Sequence, residues 1–121
     1  LPRSSQNLNL EAVLSLLSVS YRKGRRLEYE VRELLESQGW FVVRAAGSKP
    51  VDLVCIRQGQ TVLIECKYNK TPTKQELERL ADISKISGTR VLLAVRQKYG
   101  RLRIYDPFTG ETFFPYLPPD K

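Results

Sequence analysis

The chain has 121 residues, a length that suits one compact domain, and its hydrophobic fraction of 41% is ordinary for a globular protein. A net charge of +7, with a sequence pI of about 9.6, favours a polyanionic partner such as nucleic acid. Because the sequence has no histidine, His-based metal sites and Ser-His triads are excluded, and oxygen ligands for a hard cation such as Mg²⁺ or Mn²⁺ are left.

Residues 1–20 are predicted to be an N-terminal extension, either helical or flexible. Its apolar residues recur at helical spacing and are Leu10, Val13, Leu14 and Leu17. The apolar stretch is shorter than the ~20 residues that cross a bilayer, and no small-residue cleavage site follows it. We therefore expect a cytoplasmic protein with no membrane partner.

The predicted core, residues 21–106, begins with a run of positive charge. Its basic residues are Arg22, Lys23, Arg25 and Arg26. Such a run is either a solvated arm or a contact for phosphates. A helix is expected to follow this run, since Leu27, Val31, Leu34 and Leu35 form an apolar stripe, and Gly39 is expected to end that helix.

Strands and a second helix are predicted downstream. The strands are expected at residues 40–44, 51–56, 61–67, 90–95 and 102–105. Thr73 and Glu76 form a capping box, which predicts a helix running to about Ser87. This order predicts an α/β fold, a single domain with a central mixed β-sheet flanked by helices. Residues 107–121 are rich in proline and are expected to form a C-terminal tail that adds no strand.

One predicted hairpin concentrates the candidate chemistry. If Gln58 and Gly59 are its two turn residues, counting back along both strands places Asp52 directly opposite Glu65. Side-chain alternation puts Lys67 on the same face as Glu65. The strands are otherwise apolar, so the two acids lie at the end of central strands that are covered on both faces.

Two carboxylates opposite each other destabilise a sheet unless something neutralises them. A divalent cation would do so and, beside a phosphate, would activate water, which predicts phosphodiester hydrolysis. Lys67 would orient or activate the water, and Glu28 near the start of the first helix would be a further ligand. The alternative is a solvated pair of strand-end acids without catalytic function.

The segments Pro50-Val51-Asp52 and Glu65-Cys66-Lys67 resemble the core motif of the PD-(D/E)xK nucleases. A longer set of segments, from about Tyr21 to Val95, is similar in order and spacing to the archaeal Holliday junction resolvases. The set comprises Tyr21-Arg22-Lys23-Gly24, Glu28, Arg44-Ala45-Ala46-Gly47-Ser48-Lys49, Val51-Asp52-Leu53-Val54 and Glu65-Cys66-Lys67. The resemblance implies a restriction-endonuclease-like fold.

The resemblance also implies roles for individual residues. Glu28, Asp52 and Glu65 match the metal-binding acids, and Lys67 matches the catalytic lysine. Arg44 matches an arginine needed for activity, and Ser48 matches a serine in a mobile loop near the site. The implied DNA contacts are Arg22, Lys23, Arg25, Arg26, Arg44 and Lys49.

Family resemblance implies a homodimer that uses Mg²⁺, with Mn²⁺ as a substitute, and nicks four-way DNA junctions in pairs during recombination and repair. Such a protein would be associated with the nucleoid. Tyr29 departs from the pattern, because the family often has arginine there, which leaves one phosphate contact open. Two alternatives remain: a related nuclease acting on flaps, nicks or duplex DNA, and a non-catalytic module that binds junction DNA.

Overall fold

A mixed sheet of six strands organises the part of the chain that the computed structural model describes, residues 22–45 and 50–115. Helix α1 covers residues 22–37. The remaining elements are β1 (Phe41–Arg44), β2 (Leu53–Arg57), β3 (Gln60–Tyr68), α2 (Lys74–Ser87), β4 (Arg90–Arg96), β5 (Arg103–Tyr105) and β6 (Thr112–Phe114). The predicted N-terminal extension, Ser48 and Lys49 lie outside the described residues.

The strands follow one another across the sheet in chain order, β1-β2-β3-β4-β5-β6. All neighbouring pairs are antiparallel except β3 and β4, which are parallel because α2 crosses between them. This arrangement confirms the predicted mixed sheet with flanking helices. Within the described residues, neither helix combines the length and apolar character that a membrane span requires.

Helices cover the two faces of the sheet with separate apolar cores. On one face α1 buries Leu27, Val31 and Leu35 against the strands. On the other face α2 buries Leu80 in a smaller cluster. Apolar residues of β3 alternate between these clusters, as expected for a central strand with both faces covered.

Helix α1 includes the basic run, so the expectation that the helix begins only after this run was wrong. Arginine and lysine are good helix formers, and the single Gly24 among them costs the helix only about 1 kcal/mol. The helix ends as predicted, because Gly39 adopts a φ of 89° that favours glycine. The charged side chains at 22–26 are therefore presented from a rigid element.

The hairpin between β2 and β3 has the predicted turn. Gln58 and Gly59 have φ values of 51° and 78°, as in the two-residue turn that suits the twist of a hairpin. Arg57 pairs with Gln60, and the register continues to Leu53 opposite Ile64. The predicted register is thus confirmed for every paired residue of β2.

The expectation that residues 107–121 add no strand was wrong, because β6 pairs with β5 at the edge of the sheet. The prolines flank the strand and do not interrupt it: Pro107 lies in the preceding turn and Pro115 follows the last paired residue. Asp106 stabilises the turn, with its side chain accepting hydrogen bonds from the backbone N–H groups of Phe108 and Thr109. Proline content alone therefore did not exclude a three-residue edge strand.

Candidate active site

Asp52 and Glu65 lie at the same end of the central strands, on the face that α2 covers. Asp52 immediately precedes β2, and Glu65 is in the buried part of β3. Their exposed fractions are only 8% and 9%, although both are acidic. Buried carboxylates are costly unless they are paired, hydrogen-bonded or bound to a cation, so this location marks a candidate site.

The side chain of Asp52 reaches across the hairpin. Its Oδ2 accepts a hydrogen bond of 2.7 Å from the backbone N–H of Cys66. Its own backbone N–H donates to the Ile64 carbonyl oxygen at 3.1 Å, one residue beyond the last paired position of β2. The Asp52 and Glu65 carboxyls are within hydrogen-bonding reach of each other, which places the two acids side by side.

Glu65 has a strongly perturbed ionisation. Burial, followed by the charge and hydrogen bond of Asp52, raises the pKa of Glu65 to about 7. Arg79 acts in the opposite direction, since its Nη2 donates a hydrogen bond of 2.8 Å to Glu65 Oε2. Near neutral pH, the pair is therefore poised between sharing a proton and carrying two negative charges.

Lys67, two residues further along β3, points to the same face as Glu65. Its ammonium group is hydrogen-bonded to the carboxylate of Glu76 in the first turn of α2. Glu76 also completes the predicted capping box, accepting from the Thr73 backbone N–H while the Thr73 hydroxyl accepts from the Glu76 N–H. The cap of α2 and the position of Lys67 thus depend on the same carboxylate.

Glu28 is buried, with an exposed fraction of 7%, but it approaches the sheet from α1. It accepts a 3.1 Å hydrogen bond from Arg44 Nε at the end of β1. The backbone N–H of Ala45 donates to the Asp52 carbonyl at 2.9 Å, so Glu28 and Arg44 lie at the same end of the sheet as Asp52.

In the described ranges, no three acidic or cysteine side chains are close enough together to hold a metal ion. The structure places Asp52 beside Glu65 and pairs Glu28 with Arg44. The adjacent, buried carboxylates are suitable oxygen donors for a hard divalent cation, which would relieve their mutual repulsion. These two residues fit a metal; Glu28 would fit only after turning away from Arg44.

The basic run lies along the first turns of α1. Arg22, Arg25 and Arg26 are exposed, and the Lys23 ammonium lies 5.7 Å from the centroid of the Tyr68 ring. Arg25 lies over Tyr29 at 5.9 Å, and its hydrogen bond and positive charge lower the pKa of that phenol. Arg25 therefore supplies positive charge beside Tyr29, the position at which the resemblance led us to expect an arginine.

The sequence motifs assigned no site role to Glu76 or Arg79. Both lie on one side of α2, three residues apart, and they contact Lys67 and Glu65 respectively. The capping box located Glu76 but did not indicate that its carboxylate also binds a lysine. The i, i+3 spacing of an acid and an arginine, matched against Glu65 and Lys67, was the available signal.

Cys55 and Cys66 are free thiols on the α1 side of the sheet. Cys55 is buried, and this burial raises its pKa to about 12, so it is an unreactive core residue. Cys66 is half-buried, and its backbone serves the site through its N–H group.

Comparison with known proteins gave consistent matches. The family model of the archaeal Holliday junction resolvases (Hjc) matches residues 19–112. The crossover junction endodeoxyribonuclease Hjc of Methanocaldococcus jannaschii is 40% identical over 96 residues, covering 76% of this chain and 71% of that protein. The structure of Hjc from Archaeoglobus fulgidus, a Holliday junction resolvase from an archaeal hyperthermophile, has a TM-score of 0.59 at 24% identity. That superposition covers 69% of this chain and 72% of the other, and it indicates a common fold.

Proposed function

Because the chain belongs to the archaeal Holliday junction resolvase family, we propose that it resolves four-way DNA junctions by metal-dependent hydrolysis of phosphodiester bonds. The observation that carries this proposal is the adjacent, buried pair Asp52 and Glu65 with Lys67 on the same strand face. A nuclease acting on flaps, nicks or duplex ends would use the same residues, so the substrate must be tested directly.

Asp52 and Glu65 would hold the cation, which we propose to be Mg²⁺, with Mn²⁺ as a substitute. Once bound, the ion supplies a polarised phosphate and a water of lowered pKa. The Cys66 N–H fixes the orientation of the Asp52 carboxylate before the cation arrives. Arg79 would have to share or release Glu65 when the ion binds, since it occupies one carboxylate oxygen.

Lys67 would act on the attacking water or on charge that develops at the phosphate. Its ammonium is held by Glu76, so its position is set before substrate binds.

Glu28 and Arg44 would complete the site from the α1 side. We propose Glu28 as a further metal ligand. This role requires the Glu28 carboxylate to leave Arg44 and turn toward Asp52. Arg44, once released, would be free to contact a phosphate of the DNA backbone. Ser48 and Lys49 belong to the same proposal, Ser48 as a residue needed for cleavage and Lys49 as a DNA contact.

Phosphate contacts would come from the basic residues of α1, namely Arg22, Lys23, Arg25 and Arg26. A homodimer is proposed because two matched nicks on a pseudo-twofold junction require two sites related by a twofold axis. The protein would work in the cytoplasm beside the nucleoid, where its DNA substrate is located.

The test is cleavage of a labelled four-way junction beside linear duplex and flap DNA, with Mg²⁺ and with EDTA. Paired nicks confined to the junction, present with Mg²⁺ and lost in Asp52→Asn, would support the proposal. Preferential cleavage of flaps or duplex would support nuclease activity but overturn the proposal that the substrate is a four-way junction. Tight junction binding without cleavage in any metal would leave a binding module.

A further inference from the structure

A cationic pocket of about 350 Å³ lies beside Lys67. Four lysines line it: Lys23 from α1, Lys67 from β3, Lys70 from the segment after β3, and Lys98 from the turn between β4 and β5. Within the described residues, no acidic side chain lines this lysine pocket. Lys70 and Lys98 were given no role above, so the pocket extends beyond the residues already assigned.

The three segments that form the pocket are joined by specific contacts. Asn69 adopts a φ of 52°, which turns the chain sharply at the end of β3. Its backbone N–H donates to the Arg96 carbonyl at 2.7 Å, and its Oδ1 lies 3.4 Å from the Lys98 backbone N. These contacts hold the segments that carry Lys70 and Lys98 next to each other.

Lys23 is joined to the same assembly from α1. Its ammonium lies 5.7 Å from the centroid of Tyr68, the last residue of β3. Such a cation–π contact keeps the charge near the ring. The lysines therefore converge because the backbone and Tyr68 place them there.

The charge of the pocket is poorly compensated. Lys67 is paired with Glu76, whereas Lys23, Lys70 and Lys98 form no ion pair within the described residues. Lysines that face one pocket repel each other, and an anion bound among them would relieve this repulsion. Lysine is a point-charge ligand for phosphate and donates in several directions without requiring one geometry.

We propose that the lysine pocket binds a phosphate of the DNA backbone adjacent to the phosphate that is cleaved, and so fixes the path of the strand through the site. This proposal rests on the proposed nuclease function, because it assigns the pocket's ligand from the substrate of the neighbouring site. Since Lys67 belongs to both the site and the pocket, a strand that presents a phosphate to Asp52 and Glu65 would run beside the pocket. Ammonium groups contact backbone phosphates without distinguishing bases, so the pocket would hold the strand independently of sequence.

The test compares Lys70→Gln, Lys98→Gln and the double variant with Lys85→Gln. Lys85 is an exposed lysine in the last turn of α2, at the end of the helix remote from Lys67. The Lys85→Gln substitution therefore removes one charge outside the pocket. Arg32→Gln with Lys85→Gln provides the control for two charges, since Arg32 makes only an exposed ion pair with Glu36. All variants carry Asp52→Asn, so that binding to uncleaved DNA is measured.

The logarithm of the binding constant falls linearly with the logarithm of the salt concentration, and each lost phosphate contact reduces the steepness of this fall by about 0.9. We expect the double pocket variant to reduce the steepness of the salt dependence by about 1 and to weaken binding by about tenfold at low salt. Both changes should be larger than those of the two-charge control. Equal slopes and affinities for the pocket variant and its control would overturn the proposal. Melting temperatures of all variants report on folding, and no change is expected because Lys70 and Lys98 are exposed.

The position of the bound phosphate is tested with junctions that carry one neutral methylphosphonate at successive positions around the nick. At the pocket's position, the substitution should weaken binding by the parent protein and have no further effect on the double variant. If the methylphosphonate weakened binding by the double variant as much as binding by the parent protein at every position, the assignment of one phosphate to the pocket would be overturned. Repeating the measurement on linear duplex separates the two proposals, because a protein without junction preference would still show the pocket's phosphate contact.

Discussion

Arg79 in α2 donates a hydrogen bond of 2.8 Å to Glu65 in β3, and one helical turn earlier Glu76 binds Lys67. Residues three apart on a helix lie on one face, as do residues two apart on a strand. The acid of the helix faces the lysine of the strand, and the arginine of the helix faces the acid of the strand. Helix α2 thus places an opposite charge beside Glu65 and another beside Lys67.

Arg79→Ala should raise the pKa of Glu65 above its present value of about 7, because burial and Asp52 then act without the opposing arginine. If cleavage requires ionised Glu65, the pH profile of kcat/KM should move to higher pH. Below the midpoint each unit of displacement reduces the ionised fraction up to about tenfold, so activity near pH 6.5 should fall by about three- to tenfold. Arg79→Lys keeps a positive charge and should shift the profile less; identical profiles for all three proteins would contradict this role.

The raised pKa of Glu65 also predicts how stability depends on pH. The folded chain binds this proton more tightly than the unfolded chain, so the free energy of unfolding should decrease as pH rises from the ordinary glutamate value toward about 7. Asp52→Asn removes the neighbouring charge and should flatten this decrease. Calorimetry in EDTA across this range measures both effects.

Metal binding should be strongest where the two carboxylates are ionised. Mg²⁺ should therefore raise the melting temperature more at pH 8 than at pH 6, since protons compete for the same oxygens. Asp52→Asn should lose most of this increase. An equal increase in the variant would place the bound Mg²⁺ elsewhere.

Glu76→Gln separates two functions of one carboxylate. It should largely keep the cap of α2, because a glutamine oxygen can also accept from the Thr73 N–H, and it should weaken the hold on Lys67. Thr73→Ala should weaken the cap alone. Thr73→Ala should lose about 1 kcal/mol of stability, and Glu76→Gln should lose less. Only Glu76→Gln should reduce kcat, by about ten- to hundredfold, because misplacing a catalytic group is costly. An equal loss of kcat in both variants would reduce Glu76 to a capping residue.

Much of this site could be predicted from the sequence because it depends on local features. The Gln58-Gly59 turn sets the hairpin register, and that register brings Asp52 and Glu65 together. The same turn chemistry does not depend on the remainder of the fold. The capping box likewise located the start of α2 correctly, since capping uses only neighbouring residues.

The unpredicted features depend on how elements pack. The contact of Arg79 with Glu65 requires the rotation of α2 on the sheet, which the helical pattern leaves open. Glu28 approaches from the other helix and pairs with Arg44, a relationship that no spacing in the sequence encodes. Strand β6 was missed because its three residues gain their stability from pairing with β5 and carry only a weak pattern of their own.

Glu28 and Arg44 should differ in what they contribute. If Glu28 turns to become a ligand, Glu28→Gln should raise the Mg²⁺ concentration needed for half-maximal cleavage and leave junction affinity nearly unchanged. Arg44→Ala should weaken junction binding and leave the Mg²⁺ requirement unchanged. Matching effects of both variants on DNA affinity, with no change in the Mg²⁺ requirement, would make Glu28 a positioning residue for Arg44.

Asp106 offers a prediction for stability away from the site. It is only 5% exposed, and its carboxylate accepts from the N–H groups of Phe108 and Thr109 and from the Arg90 guanidinium, at 2.8–3.2 Å. Burial alone would raise its pKa, but these donors outweigh burial and hold the pKa below its ordinary value. The charged form is therefore favoured in the folded chain, and its contribution is present above the ordinary aspartate pKa of about 4.

Asp106→Asn should lower the free energy of unfolding at pH 7 by about 1–3 kcal/mol, because Arg90 loses a buried charged partner. The difference between variant and parent should shrink as pH falls through the lowered pKa, where the parent carboxylate also becomes neutral. Glu111→Gln is the matched control, since Glu111 pairs with the same arginine from an exposed position and should contribute little. Urea unfolding of the three proteins at pH 7 and near pH 3 measures this; an equal loss in both variants would mean that burial of Asp106 adds nothing to its ion pair.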